Sequence, residues 1–295
     1  MSDDIRSRAI ALYDRFTHED MDRRAFMAEL TRIAGSAAAA NALLLAIAAD
    51  PAAATIVAAD DQRLKTTEQV TLVAGRLNAY AASPAGARAP LPAVMVIHEN
   101  RGLNAHTRDV ARRIALAGYD AFAPDFLTPS GGTPADEDAA RTAIGQLDLP
   151  ATVADAVAAL SQIGTRGRFD GKVGAVGFCW GGAMVNRIAV AAGDSLDAGV
   201  SYYGPAPAPA EAAKVRAPLL IHLAGNDARV NATGEPWIAA LKAAGKPAEA
   251  HVYPGVEHAF NNDTSAERYD KAAADLAWSR TLDFFARHLA APRGR

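Results

Sequence analysis

A short run around the only cysteine of the chain limits the possible folds more than any other part of the sequence. Residues 177–182 read GFCWGG. Residues 172–176 before it are mostly apolar and fit a short buried strand, and residues 183–192 after it fit a helix. Glycines on both sides of Cys179 allow a strand and a helix to cross closely, because a Cβ there would clash. The pattern predicts a strand, a sharp turn that holds Cys179, and a helix.

This Gly-x-Cys-x-Gly turn has the form of a nucleophile elbow, with a thiol where a hydroxyl is more common. Cys179 would lie at a helix N-terminus, where backbone N–H groups and the helix dipole favour an anion and therefore the reactive thiolate. The N–H of Trp180 would point at the oxyanion that forms on an attacked carbonyl. The alternative is an unreactive, buried cysteine in a glycine-rich turn. The strand–turn–helix context favours the catalytic interpretation.

An acid and a base follow Cys179 in the order that such an elbow requires. Residues 217–224 form an apolar strand before Gly-Asn-Asp, which places Asp227 at a strand's carboxyl end, where open α/β sheets bind ligands. Residues 248–253 form another strand, and the loop after it carries His258. A histidine there can take the thiol proton while the aspartate fixes its tautomer. Gly-Asn-Asp is also ordinary turn chemistry, so the prediction depends on the three residues together.

Five of the other six histidines fit structural positions better than a catalytic one. They lie in polar helical stretches, at a helix start and within strands: His18, His288, His106, His222 and His251. His98 differs, because it ends a strand beside Glu99 and is placed where it can line the site. No group of residues has zinc-ligand spacing, and a single cysteine excludes a cysteine-rich metal site.

Together these motifs resemble those of the dienelactone hydrolases (carboxymethylenebutenolidases) of the α/β-hydrolase superfamily. Residues 92–104 look like the family's first core strand and loop, and residues 109–125 look like its next helix and strand. The elbow, the Gly-Asn-Asp turn and the loop Gly255–His258 complete the match. The resemblance covers roughly residues 65 to 290, about one hydrolase domain. It implies a mostly parallel sheet with helices on both faces, and hydrolysis of an ester or lactone through a cysteine thioester.

The resemblance also assigns roles to individual residues. It implies a catalytic triad of three residues: Cys179, His258 and Asp227. It implies that Glu99 contacts the nucleophile and helps to generate the thiolate as substrate binds; the alternative is an ion pair with Arg101 or Arg108. The backbone N–H of Asn100 matches the second oxyanion donor, beside that of Trp180. No cofactor and no metal are implied.

One departure from the family weakens the expectation that dienelactone itself is the substrate. Members that act on it carry a serine directly after the catalytic histidine, and an arginine shortly after it that helps to hold the substrate carboxylate. Here the histidine is followed by AFNND, and no arginine appears before Arg268. An arginine fork is the natural carboxylate clamp, so Arg101 or Arg141 would have to substitute.

Trp180 and Phe260 suggest an apolar substrate pocket; the alternative is that both simply pack.

The first 60 residues read as a helical extension ahead of a catalytic domain at residues 61–295. Within it, Arg23 and Arg24 precede an apolar, alanine-rich run and the small-residue segment Ala52–Ala54. Twin arginines in this setting resemble a bacterial twin-arginine export signal. Acidic neighbours and the depth of the arginines in the chain count against such a signal; the alternative is an uncleaved helical arm that packs on the domain or on a second subunit. A periplasmic and a cytoplasmic location both stay open.

Composition and charge limit the partners further. Half of the residues are hydrophobic and the net charge is −3, with acids and bases interspersed, which gives no electrostatic basis for nucleic-acid binding. The alanine-rich run is too weakly apolar for a stable membrane span. The expected partner is a small ester or lactone, with a homo-oligomer formed through the N-terminal helices as the one protein partnership suggested.

Two other functions remain compatible with the same residues. A hydrolase fold can bind a ligand without turnover, although a complete triad argues against that interpretation. The same triad could also serve a thioesterase or a peptidase, because this fold supports many reactions. A thiol redox role is disfavoured, since the chain has no second cysteine to resolve a disulfide.

Overall fold

The computed structural model describes residues 3–18, 21–47, 56–87, 90–165 and 169–289. The α-helices within these residues are α1 (Asp3–His18), α2 (Arg23–Ala34), α3 (Ala37–Ile47), α4 (Ala105–Leu116), α5 (Glu137–Gly145), α6 (Leu149–Gly164), α7 (Trp180–Ala191), α8 (Ala228–Ala243) and α9 (Lys271–Leu289). The strands are β1 (Leu64–Leu72), β2 (Leu77–Pro84), β3 (Leu91–Ile97), β4 (Asp120–Asp125), β5 (Phe169–Phe178), β6 (Ala198–Tyr202), β7 (Leu219–Ala224) and β8 (Ala248–Tyr253).

The strands form one mixed sheet in the order β1-β2-β4-β3-β5-β6-β7-β8. Strand β2 is antiparallel to both of its neighbours, and every pairing from β4 across to β8 is parallel. The central strands β3, β5, β6 and β7 are nearly continuous in apolar residues because helices cover both of their faces. The sheet and its helices confirm the predicted α/β-hydrolase fold.

Two hydrophobic layers hold the helices on the sheet. On one face, α4 and α9 pack against the strands through a cluster that includes Val110, Ile114 and Phe285. On the other face, α6, α7 and α8 pack through a cluster that includes Leu160 and Trp237. Since both layers are built on the same parallel strands, the carboxyl ends of those strands form one edge, where loops from several strands meet.

The elbow helix begins earlier than the sequence predicted. Helix α7 starts at Trp180, not at Ala183, and β5 extends to Phe178. The reason is that Gly181 and Gly182 belong to the first turn of the helix. A Cβ on Gly181 would overlap the carbonyl group of Ile97, so glycine lets this turn approach the neighbouring strand closely.

The N-terminal extension forms three helices with a hydrophobic cluster of their own. Buried side chains from all three contribute, including Tyr13 and Phe16 from α1. The alanine-rich run is broken at Gly35, which takes a φ of +82° and ends α2. Asp22 accepts hydrogen bonds from the first turn of α2, so one of the acidic flanking residues serves as a helix cap. The segment Ala52–Ala54 lies outside the described residues.

No single helix in the described part of the chain is long and apolar enough to cross a membrane. Two pairs of helices that meet at a sharp bend, α2 with α3 and α5 with α6, are together long and apolar enough for a span, by length and composition only.

Candidate active site

The strand-to-helix turn holds Cys179 in a strained backbone conformation. Its φ is +54° and its ψ is −112°, a region that residues with a Cβ rarely adopt. The turn is fixed from both sides, because Cys179 N–H donates to the carbonyl of Tyr202 at 3.0 Å and its own carbonyl accepts from Ala183 N–H at 3.0 Å. Trp180 is the first residue of α7, where backbone N–H groups have no partner within the helix. The turn therefore brings the thiol next to a helix N-terminus.

Asp227 and His258 meet at the same edge of the sheet. Asp227 caps α8 with one carboxylate oxygen, which accepts from Val230 N–H at 3.0 Å. Its other oxygen lies 2.5 Å from His258 Nδ1, and both side chains are buried. Burial by itself would raise the pKa of Asp227, but the hydrogen bond and charge of His258 lower it. The carboxylate is therefore ionised and fixes the orientation of the imidazole.

His258 also interacts with the cysteine. Burial alone would lower the pKa of His258, but the neighbouring Cys179 and Asp227 outweigh it and raise the pKa from 6.5 to about 10. Both residues act through hydrogen bonds as well as charge. The structure thus brings together the three residues that chain order had linked, in an arrangement that favours the protonated form of His258.

The Glu99 carboxylate is held by two residues that sequence analysis missed. Asn262 Nδ2 donates to one oxygen at 2.9 Å, and Tyr203 OH donates to the other at 3.5 Å. The alternative pairings are not observed, since Arg101 pairs with carboxylates of α5 and Arg108 with Glu68. Tyr203 follows strand β6 at its carboxyl end, so the rule that located Asp227 could also have located it.

Two cavities meet at Cys179. The smaller has a volume of about 20 Å³ and is lined by Cys179, His258, Glu99 and Arg268, among others. The larger has a volume of about 370 Å³ and extends past Trp180. Asn100 lines both, as expected for a residue that follows β3 beside the nucleophile. The larger cavity is big enough to take a small ligand that reaches the thiol.

Comparison with known proteins agrees with this geometry. The sequence profile of the Dienelactone hydrolase family matches residues 77–289. A carboxymethylenebutenolidase of Pseudomonas putida is 34% identical over 209 residues, which are 68% of this chain and 87% of the relative. The chain belongs to the dienelactone hydrolase family. The prediction of a hydrolase of this type is confirmed.

Two further relatives extend the match over more of the chain. A candidate carboxymethylenebutenolidase of Escherichia coli (strain K12) is 32% identical over 270 residues, which are 86% of this chain and 96% of the relative. The crystal structure of a candidate dienelactone hydrolase from Klebsiella pneumoniae superposes with a TM-score of 0.64 at 30% identity. That superposition covers 76% of this chain and 99% of the other.

In this member of the family, His98 and Phe260 are packing residues. His98 is buried, its Nε2 accepts from Phe126 N–H at 3.3 Å, and its ring stacks on Trp180 at 5.2 Å. Phe260 is fully buried against the rings of Tyr253 and Tyr203, and it is not among the described residues that line either cavity. The expectation of a substrate contact from Phe260 is therefore not met, whereas Trp180 does line the larger cavity.

The two arginines proposed from sequence lie at different cavities. Arg101 lines the smaller one, where it pairs with Asp138 at 3.4 Å and donates to Tyr13 OH at 3.0 Å. Arg141 lines the larger one, where its Nη1 donates to the carbonyl of Phe16 at 2.6 Å. Each cation already contacts the N-terminal extension, so any substrate carboxylate must compete with, or add to, these contacts.

Arg268, which sequence analysis set aside as too distant, lines the smaller cavity with Cys179 and His258. The loop after His258 folds back on itself, because Asp270 N–H donates to the carbonyl of Phe260 at 3.0 Å. The arginine is held by a hydrogen bond from its Nε to Ser265 Oγ at 2.9 Å. A cation is thus present beside the thiol although the family spacing is absent.

Helix α1 covers the cavities at Cys179 and His258. Tyr13 and Thr17 line the smaller cavity, and Thr17 also lines the larger one. Asn100 Nδ2 donates to the Thr17 carbonyl at 3.0 Å, and Arg6 forms an ion pair with Glu267 at 2.8 Å. The helix thus packs on the domain of its own chain; an uncleaved arm and a homo-oligomer through these helices both stay predictions.

The described residues contain no group of three or more histidine, cysteine, aspartate or glutamate side chains placed to hold a metal ion.

Proposed function

We propose that the protein hydrolyses a carboxylic ester or lactone through a covalent thioester on Cys179. The observation that carries the proposal is the position of His258, which is hydrogen-bonded to Asp227 and to Cys179. A nucleophile, a base and an orienting carboxylate in this order are the parts that acyl transfer needs.

The reaction would proceed in two halves. The Cys179 thiolate attacks the carbonyl carbon, and the N–H groups of Trp180 and Asn100 stabilise the oxyanion. The His258 imidazolium gives its proton to the leaving alkoxide as the carbon–oxygen bond breaks, which leaves a thioester. His258 then takes a proton from water, the hydroxide attacks the thioester, and the acid leaves as the thiolate re-forms.

Glu99 and Arg268 are assigned supporting roles in this proposal. Glu99 is fixed by Tyr203 and Asn262 in the cavity that holds the thiol, where its negative charge can influence the proton shared by Cys179 and His258. Arg268 supplies in that cavity the cation that a substrate carboxylate would need. An ester or lactone that carries a carboxylate near its reacting carbonyl is therefore the proposed substrate class.

The test compares wild type with Cys179→Ala on short aryl esters and enol lactones. Wild type is expected to hydrolyse them, and the variant is expected to lose at least about a thousandfold in kcat/KM. Rapid quenching followed by intact-mass measurement should show one acyl group on wild type and none on Cys179→Ala. Arg216→Gln, at an exposed surface ion pair with Asp194, is the control and should behave as wild type. Full activity in Cys179→Ala would refute the mechanism.

A further inference from the structure

The larger cavity beside Cys179 carries a charge that the proposed chemistry does not use. Three guanidinium groups line it, those of Arg141, Arg187 and Arg229. Its described lining residues include no aspartate or glutamate. The cavity wall is therefore positively charged, although the chain as a whole has a net charge of −3.

Arg187 has no acidic partner among the described residues. It lies on α7, and its Nη1 donates to the carbonyl of Ala183 at 3.2 Å, one turn earlier in the same helix. Burial lowers its pKa, and no charged neighbour offsets that effect. The other donors of this guanidinium are therefore available for a ligand at the cavity.

Arg229 is left with unused donors inside the protein. Its Nε and Nη2 atoms are buried and have no hydrogen-bond partner in the part of the chain that the structure describes. Two carboxylates act on it electrostatically, but Asp227 is bonded to His258 at 2.5 Å and Asp14 faces Arg268 at 4.0 Å. Buried donors without partners are costly, so a bound acceptor would stabilise this position.

We propose that Arg187 and Arg229 form an anion-binding subsite for the end of the substrate that is remote from the reacting carbonyl. This inference rests on the proposed function, because that function places the carbonyl at Cys179. The ligand group is a terminal carboxylate or phosphate monoester, which the planar fork of arginine binds well. The subsite is separate from Arg268, which lines the other cavity.

The rest of the cavity wall suits an aliphatic spacer between the two ends. Apolar side chains line it together with the arginines: Ile144, Leu147, Leu149, Met184 and Pro205. A volume of about 370 Å³ accommodates a chain of several methylene groups as well as the terminal anion. The substrate class inferred is thus an ester or lactone with an aliphatic arm that ends in an anion.

The experiment uses two esters of equal length that differ in one charge. Mono(4-nitrophenyl) adipate ends in a free carboxylate, and 4-nitrophenyl methyl adipate masks it. The readout is the ratio of kcat/KM for the anionic ester to kcat/KM for the neutral one. We expect wild type to favour the anionic ester, and Arg187→Gln with Arg229→Gln to lower the ratio at least about tenfold. Arg216→Gln removes the same type of charge at the surface and should leave the ratio unchanged.

Binding is measured separately from turnover. Calorimetric titration of Cys179→Ala with adipate and with butyl phosphate tests the subsite without chemistry, and the tighter ligand identifies the anion. If wild type hydrolyses neither ester but the anions bind and the arginine variants abolish binding, the proposed function fails and the subsite stands. If wild type hydrolyses both esters with equal kcat/KM, or if the arginine variants and the control give the same ratio, the subsite is refuted.

Discussion

The protonation state of His258 depends on two neighbouring side chains, Asp227 and Cys179. Asp227, a carboxylate whose pKa is lowered, lies on one side of the imidazole, and the Cys179 thiol lies on the other. With both present, the pKa of His258 is raised to about 10 although burial opposes the charged form. The imidazolium is therefore the state from which the proposed reaction begins, and the thiol is what makes this histidine unlike the others.

This dependence predicts the titration of His258 in the resting enzyme. A raised pKa means that the proton stays bound as pH increases, so His258 should remain an imidazolium past pH 8 in wild type. In Cys179→Ala the charge and hydrogen-bond contributions of Cys179 are gone, and the His258 pKa should fall. Nitrogen-15 NMR of labelled histidine measures both values. His222, whose pKa burial holds well below 6.5, should stay neutral in the same spectra as an internal comparison.

The hydrogen bond from Asn262 to Glu99 predicts an energetic coupling between the two residues. Asn262→Ala would free one oxygen of the Glu99 carboxylate, and we expect kcat/KM for a neutral aryl ester to fall about tenfold. Glu99→Gln should remove the charge that the bond positions. If Asn262 acts only through Glu99, the double variant should be no slower than Glu99→Gln alone. Additive losses would show that the two residues act independently.

Among the elements, the elbow was predictable from sequence and the loop after His258 was not. The glycines on both sides of Cys179 are needed because a strand and a helix cross closely there, so their spacing predicted the turn. The loop has no such pattern. Its shape depends on the backbone hydrogen bond from Asp270 to Phe260, which no sequence periodicity predicts. In the folded loop, Arg268 lines the smaller cavity and Phe260 is buried in the core. The sequence did not predict either position, because it did not predict this hydrogen bond.

The elbow predicts a sharp difference between two glycine substitutions. In Gly181→Ala the new Cβ would meet the backbone of Ile97 and His98, which cannot move without displacing β3. We expect a loss of about 3 kcal/mol in the free energy of unfolding. Gly145→Ala, also helical, meets nothing within 4 Å and should be neutral or stabilising by about 1 kcal/mol. Urea denaturation of both variants checks this, and equal stabilities would contradict the close-crossing account.

On the scale of the whole molecule, polar contacts join the N-terminal extension to the hydrolase domain. The helices of the extension have their own hydrophobic cluster. Hydrogen bonds from Asn100 to Thr17 and from Arg141 to Phe16, and the ion pair of Arg6 with Glu267, connect them to the domain. The sequence predicted a helical extension but not which surface it covers. Only the folded chain shows that this surface includes the cavities at Cys179.

This arrangement predicts that loosening α1 exposes Cys179. Arg6→Glu places like charges against Glu267, where wild type has an ion pair at 2.8 Å. We expect Cys179 to react about tenfold faster with a bulky maleimide, because the helix would leave the cavity more often. Arg8→Glu is the matched control, since Arg8 is exposed and its partner Asp4 lies on the same helix. As Cys179 is the only thiol of the chain, the rate reports on this site alone. Equal rates in the two variants would mean that α1 does not limit access to the nucleophile.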